Sequence, residues 1–387
     1  MASLTIKKSS NFDDVENYLQ RLVEDPNFEV RLPNSIKEKG VFGLEGLLLL
    51  FLATWIRKAN HTVLHTFANS SEDFDDLCNS LYGICALRIS DQVLLEHRAI
   101  IKREDALRAA YTRIRSVINE DYKLAFKGSY IAIPSIKAPG NKSIGIEPEF
   151  NNPFYNGELV VGKDKFRDIT IGVINSLIPE SGRRAVLDAA LIDNIAEIIR
   201  ELFTNTHKHA RRDADGNVFQ RNFRAVIFNV ADVSRGRLDK LMNSGNKSMF
   251  DFNIDWLPEE SGKLSVLDIT VVDSGPGYAR HWTSSNGDQI TNFPDEANAV
   301  ASCFSKHHSK DGKESYGSGL SNVLHDLKVL KGLFRLRTGK CYVEKSFLFP
   351  DQNSDQITLK DVRQAPNMIE GVSFNFVIPL RKSGKRA

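Results

Sequence analysis

Apolar residues recur every three to four positions from Arg183 to Ala210, at Leu187, Leu191, Ile195, Ile198, Ile199, Leu202 and Phe203. That period predicts one long helix with a buried stripe. Earlier in the chain a short helix is expected over Asp13–Val23 within a polar stretch. Val41–Ile56 is apolar almost all round and predicts a buried helix, its run too short for the ~20 residues that cross a bilayer. His61–Phe67 alternates like a strand, Asn69–Asp73 reads as a turn, and Phe74–Ile84 as a helix. Ser90–Asn119, with Leu94, Leu95, Ile100, Ile101, Leu107 and Ile114, again has helical spacing. After Asp168 a strand or short helix reaches Leu177. Asn222–Val230 and Ser265–Asp273 predict strands, the second fully buried. Between them, 231–263 reads as a polar insertion with its own helix at Leu238–Met242. Leu320, Val323, Leu324, Leu327 and Leu330 mark a further helix, Gly332–Val343 a hairpin turning at Gly339, and Gly371–Leu380 a closing strand.

A chain of 387 residues is long enough for two domains. Pro134, Pro139, Gly140, Asn141, Pro148, Asn151, Asn152 and Pro153 crowd one stretch, so a linker is expected over 134–164. It would separate an N-terminal domain at 1–133, α/β or mostly helical, from a second domain at 165–387. Lys plus Arg number 51 against 49 Asp plus Glu, a balance that gives no support to a nucleic-acid partner. Cys78, Cys85, Cys303 and Cys341 form no CxxC pair, which argues for free thiols and against a zinc site. The first residues, Met1–Lys8, lack the apolar core of a signal peptide, and no membrane segment is seen. A cytoplasmic protein is the expectation.

Three stretches carry candidate chemistry. On the long helix Glu201, Asn205 and His209 follow at i, i+4 and i+8, so they line one face, with Lys208 beside them. A carboxylate can orient water, an amide oxygen can ligate Mg²⁺, and basic side chains can meet phosphate. The strand ending at Val272 runs into Asp273-Ser-Gly275-Pro-Gly277, where two glycines permit a tight turn and the carboxylate can accept from an exocyclic amine such as adenine N6. Tyr316-Gly317-Ser318-Gly319-Leu320 opens a helix whose N–H groups can receive phosphate. Upstream lies a basic segment with Lys306, His307, His308, Lys310 and Lys313, placed to close over a triphosphate.

In that order, and with a closing Gly371–Pro379 strand, these motifs resemble the GHKL ATPase superfamily of gyrase, Hsp90, histidine kinases and MutL, over about residues 165–380. The resemblance implies a two-layer α/β sandwich (the Bergerat ATP-binding fold), with ATP and Mg²⁺ as cofactors. It gives Glu201 the role of activating water, Asn205 that of binding Mg²⁺, and Asp273 that of holding adenine, with Gly275 and Gly277 shaping the base pocket. Gly317, Ser318, Gly319 and Leu320 would form the second glycine box, while Lys208, His209 and Lys306 would contact phosphate. Phe304 falls near the lid phenylalanine of histidine kinases, and residues 278–316 correspond to the lid. The sequence departs from histidine kinases in the long separation between Asn205 and Asp273. It also departs in having no phosphoacceptor histidine box, since His97 lacks the downstream proline.

The expected activity is slow Mg²⁺-dependent ATP hydrolysis driving a conformational switch. A histidine-kinase-like or serine protein kinase acting on a partner is an alternative, and so is a non-catalytic nucleotide-binding adaptor. Residues 1–133 resemble a STAS-like module in their strand–helix succession, which implies contact with a protein partner. Homodimerisation stays open.

Overall fold

The structure, a computed structural model, describes residues 2–37, 42–138, 148–178, 187–213, 215–234, 236–237, 262–286, 289–305, 319–347 and 355–380. Four short strands come first: β1 (Ser3–Thr5), β2 (Glu29–Leu32), β3 (Val63–Thr66) and β4 (Gln92–Leu94). They form a parallel sheet in the order β1-β2-β3-β4. Parallel neighbours require crossover connections. These are α1 (Phe12–Glu24), α2 (Leu44–Lys58), and the pair α3 (Phe74–Leu77) and α4 (Leu81–Ile89). Asn11 and Asp14 close a capping box that starts α1.

The chain continues through α5 (Arg103–Ile118) and α6 (Tyr122–Ala125) into β5 (Tyr130–Lys137). A two-stranded hairpin follows, β6 (Tyr155–Asn156) with β7 (Leu159–Val160), then α7 (Lys163–Leu177) and α8 (Ala189–His209). The remaining elements are β8 (Asn222–Ser234), β9 (Lys263–Asp273), α9 (Tyr278–Asn286), α10 (Phe293–Cys303) and α11 (Gly319–Val329), then β10 (Leu333–Thr338), β11 (Cys341–Ser346), β12 (Val362–Gln364) and β13 (Val372–Pro379). Seven strands pair antiparallel in the order β12-β11-β10-β13-β9-β8-β5.

The chain is therefore mixed α/β, as its pattern predicts. The expected boundary at 133–134 falls inside β5, whose Ile133 pairs with Val226 and Pro134 with Ala225. The edge of a sheet accommodates Pro134, because one side of an edge strand needs no ladder hydrogen bond. Two helical expectations differ in detail. Ser90–Asn119 contains β4 before α5 begins at Arg103, and a three-residue buried strand is too short for its period to show. Phe74–Ile84 is broken at Ser80, whose hydroxyl donates to the Leu77 carbonyl at 2.7 Å. The insertion between β8 and β9 is narrower than 231–263, because the two strands stay paired out to Ser234 and Lys263. The helix expected at Leu238–Met242 lies outside the described residues.

The seven-stranded sheet is covered on both faces. In an antiparallel sheet alternate residues point to opposite sides. From β9 and β13, Thr270 and Ser373 meet α2, where a Cβ at Gly46 would lie 2.2 Å from the Ser373 hydroxyl oxygen. Bare glycine lets α2 lie directly on the sheet. Buried Asp268 ties the start of that helix down by accepting from the Phe42 N–H and, at 2.6 Å, from Asn375 Nδ2. α8 packs on β8 and β9, and against α7 and α11. The apolar run of α2 is thus buried because it lies between α1, α4 and the sheet. One continuous core joins residues from both sheets, including Leu4, Leu50, Ile133, Ile199 and Phe374. No described helix is long and apolar enough to cross a membrane.

Candidate functional site

The C-terminal half of α8 is the centre of the site. Asp188 caps the helix start, its carboxylate accepting from the Leu191 N–H at 2.9 Å. Ile195, Ile198, Ile199, Leu202 and Phe203 are buried, and that apolar stripe fixes the rotation of the helix. The rotation leaves Glu201, Asn205 and His209 half-buried and Lys208 exposed. His207, Lys208 and His209 occupy the last turn, where the helix dipole favours positive charge.

Glu201 faces two directions. Its Oε1 accepts from Arg200, which also bonds Glu197 at 2.7 and 3.1 Å. Its Oε2 points at the start of α11, where a Cβ on Gly319 would lie only 2.6 Å away. Glycine at 319 therefore lets a carboxylate approach the first turn of a helix, where unpaired N–H groups collect. The neighbouring Leu320 is half-buried and packs against the core. Asn205 makes no side-chain hydrogen bond to another described residue. The His209 ring lies 4.1 Å from that of His281 on α9, centroid to centroid.

Asp273 is 4% exposed at the end of β9. Its carboxylate accepts from the Gly275 N–H at 2.9 Å. Burial pushes its pKa up to about 7, while the Gly275 N–H and the Arg224 and Arg57 charges pull the other way. Gly275 packs on Ala210, the residue that follows α8, and Asn222 at the start of β8 also bonds that residue, its Nδ2 donating to the Ala210 carbonyl. Gly277 has φ +89°, a left-handed conformation that suits glycine, and a Cβ there would meet the Thr338 hydroxyl at 2.8 Å. The Gly371 N–H donates to the Gly275 carbonyl at 2.7 Å and closes the turn from below.

Two separate segments thus meet α8: Gly319 at Glu201, and the Asp273–Gly275 turn at Ala210, roughly two and a half turns further on. Lys306, Gly317 and Ser318 lie outside the described residues, as do His307, His308, Lys310 and Lys313. Phe304 is interior, its ring 6.3 Å from that of Phe334 and 6.4 Å from that of Phe374. It anchors the end of α10 in the core. The structure adds residues that the sequence did not single out. Thr338 borders Gly277 and accepts from the Tyr278 N–H at 3.2 Å. Nothing in the local sequence of a hairpin strand marks such a threonine.

Beneath this turn lies a buried ionic cluster. Arg224, fully buried and the register partner of Asp273, pairs with Glu149 at 3.1 Å and donates to the Tyr155 hydroxyl at 3.0 Å. Arg211 pairs with the same carboxylate at 3.3 Å. Paired buried charges of this kind hold a fixed geometry, because losing one partner leaves the other uncompensated. His207 is at its edge, within 3.1 Å of the Tyr155 hydroxyl. Burial first, then the Arg224 and Arg211 charges, lowers its pKa to about 4.

The described residues contain no group of three or more His, Cys, Asp or Glu side chains that would hold a metal on their own. A single oxygen donor such as Asn205 would be compatible with Mg²⁺, which keeps waters and needs only one or two protein ligands. No protein-family model, curated protein or solved structure matches the chain.

Proposed function

We propose that the chain is a Mg²⁺-dependent ATP-binding protein of GHKL type that hydrolyses ATP slowly and switches conformation with its nucleotide. The observation that supports this most is the convergence on α8: Glu201 Oε2 lies at the start of α11, and the Asp273 turn rests on Ala210. A site with an amine acceptor at one side and a helix start at the other matches the two ends of an adenine nucleotide. Asp273 would accept from the adenine amine, and the first N–H groups of α11 would meet phosphate.

Asn205 would supply one oxygen to Mg²⁺, which would offset the triphosphate charge. Glu201 Oε2 would accept a proton from a water that attacks the terminal phosphorus, with ADP leaving on the opposite side. The water oxygen–phosphorus bond forms, the bridging oxygen–phosphorus bond breaks, and phosphate is released. Arg200, bonded to the other carboxylate oxygen, would fix the direction of Oε2. The test is calorimetric titration with ATP, with and without Mg²⁺, together with phosphate release. Saturable Mg²⁺-dependent binding with slow turnover is expected. No binding at millimolar ATP would sink the reading.

A further inference from the structure

The end of α2, an element of the first 133 residues, grips the turn that follows Asp273. Arg57 NH1 donates to the Arg221 carbonyl at 2.7 Å and NH2 to the Ser274 carbonyl at 2.9 Å. Its guanidinium lies 3.6 Å from the centroid of the Phe219 ring, which it covers. One turn earlier on the same helix, Thr54 Oγ1 accepts from the Glu370 N–H at 3.0 Å. Glu370 is followed by Gly371, whose N–H bonds the Gly275 carbonyl. The Glu370 carboxylate in turn receives Arg280 of α9 at 2.8 and 3.0 Å.

α2 therefore holds both strands of the turn: Ser274 from one side through Arg57, and 370–371 from the other through Thr54. A planar guanidinium suits this place, because it can serve two carbonyls and stack on a ring at once, which a lysine ammonium cannot. Burial lowers the Arg57 pKa only to about 10, so the side chain stays cationic at neutral pH beside Asp273.

We infer that Arg57 is a positioning residue for the Asp273 carboxylate, acting through its bond to the Ser274 carbonyl at the base end of the nucleotide site. The inference rests on the ATP-binding reading. It makes adenine affinity, and not triphosphate affinity, the quantity that Arg57 sets. Asp91 and Thr62, at the parallel sheet, pair with Arg221 and reinforce the same connection.

The experiment compares the full chain with Arg57→Lys, Asp273→Asn and the double variant, using Mg²⁺-ATP and inorganic tripolyphosphate as probes. Arg57→Lys should weaken ATP about tenfold, one good hydrogen-bonding arrangement's worth, and leave tripolyphosphate unchanged. In the Asp273→Asn background it should cost nothing more. Equal losses for both probes, or additive losses in the double variant, would make Arg57 a general structural tie and overturn the inference. Unaltered ATP affinity in Arg57→Lys would do the same while leaving the function intact. Absence of ATP binding by the unsubstituted chain would overturn function and inference together. Should Arg57→Lys fail to fold, Phe219→Leu removes the stacking surface, keeps both carbonyl bonds, and is held to the same discrimination between probes.

Discussion

Gly275 is packed against Ala210 so closely that a Cβ at 275 would lie 2.6 Å from the Ala210 Cα. The contact joins the end of β9 to the end of α8, two segments far apart in sequence. Its partner is backbone, so no side-chain rotation can relieve an added methyl group. Asp273 stands two residues before this contact and accepts from the Gly275 N–H. The position of this turn relative to the end of α8 is therefore set by a glycine.

Gly275→Ala should destabilise the fold by about 1–3 kcal/mol, the usual cost of overpacking. It should also weaken adenine nucleotides, because the turn must move away from α8. Urea denaturation and ATP titration of the same preparation measure the two effects. An unchanged denaturation midpoint would show that the turn has more room than the contact indicates.

Glu201→Gln keeps the size of the side chain and removes its ability to take a proton. Arg200 keeps Glu197 as a partner, so the local structure should survive. Binding of Mg²⁺-ATP should persist while phosphate release drops ~10²–10⁴-fold, the range for general base catalysis. Turnover at the original rate would remove Glu201 from the chemistry.

The long amphipathic helix, the buried strand before Asp273 and the closing hairpin were legible because their apolar periods extend over several turns or residues. The spatial neighbourhood of Glu201 and Gly319 was legible only through the order of motifs, since nothing local to Gly319 indicates which carboxylate it will meet. The parallel sheet was harder. Its strands are three or four residues long, and β1 and β4 look like parts of a polar segment and of a helix. Pro and Gly content pointed to a linker where β5 joins the larger sheet, because edge strands tolerate proline that central strands do not. The Arg57–Ser274 bond left no sequence signal at all: it depends on how α2 lies on the sheet, which Gly46 and Ser373 decide together.

His207 offers a test of the buried cluster under the turn. Its folded pKa is about 4, below the ordinary 6.5, so the fold prefers the neutral ring. That preference contributes stability above pH 6.5, and the contribution is lost as the pH falls towards 4. His207→Gln should cost about 1 kcal/mol at pH 7.5, for the lost bond with the Tyr155 hydroxyl. It should then lose less stability than the parent on going to pH 4.5. Urea midpoints at the two pH values decide it: parallel losses would show that other groups carry the acid sensitivity.

Asp273 gives the opposite sign. Its pKa rises from an ordinary 3.8 to about 7 because burial disfavours the charge. For the free protein the buried neutral carboxyl contributes stability that is fully present below pH 3.8 and is lost as the pH rises through 7. An ionised carboxylate accepts from an adenine amine more strongly than the neutral acid does, so binding should favour the form that predominates above pH 7. ATP affinity should then fall as the pH drops below 7. Free-protein stability and nucleotide affinity thus change in opposite directions over one window, and the thermal shift produced by a fixed ATP concentration should be larger at pH 8 than at pH 6. Asp273→Asn should reduce that difference and weaken ATP at pH 8, whereas it should leave the shifts produced by inorganic tripolyphosphate, whose own phosphates titrate in this range, the same as in the parent at each pH. A thermal shift by ATP that is equal at pH 6 and pH 8 in the parent chain would mean that Asp273 does not receive the base.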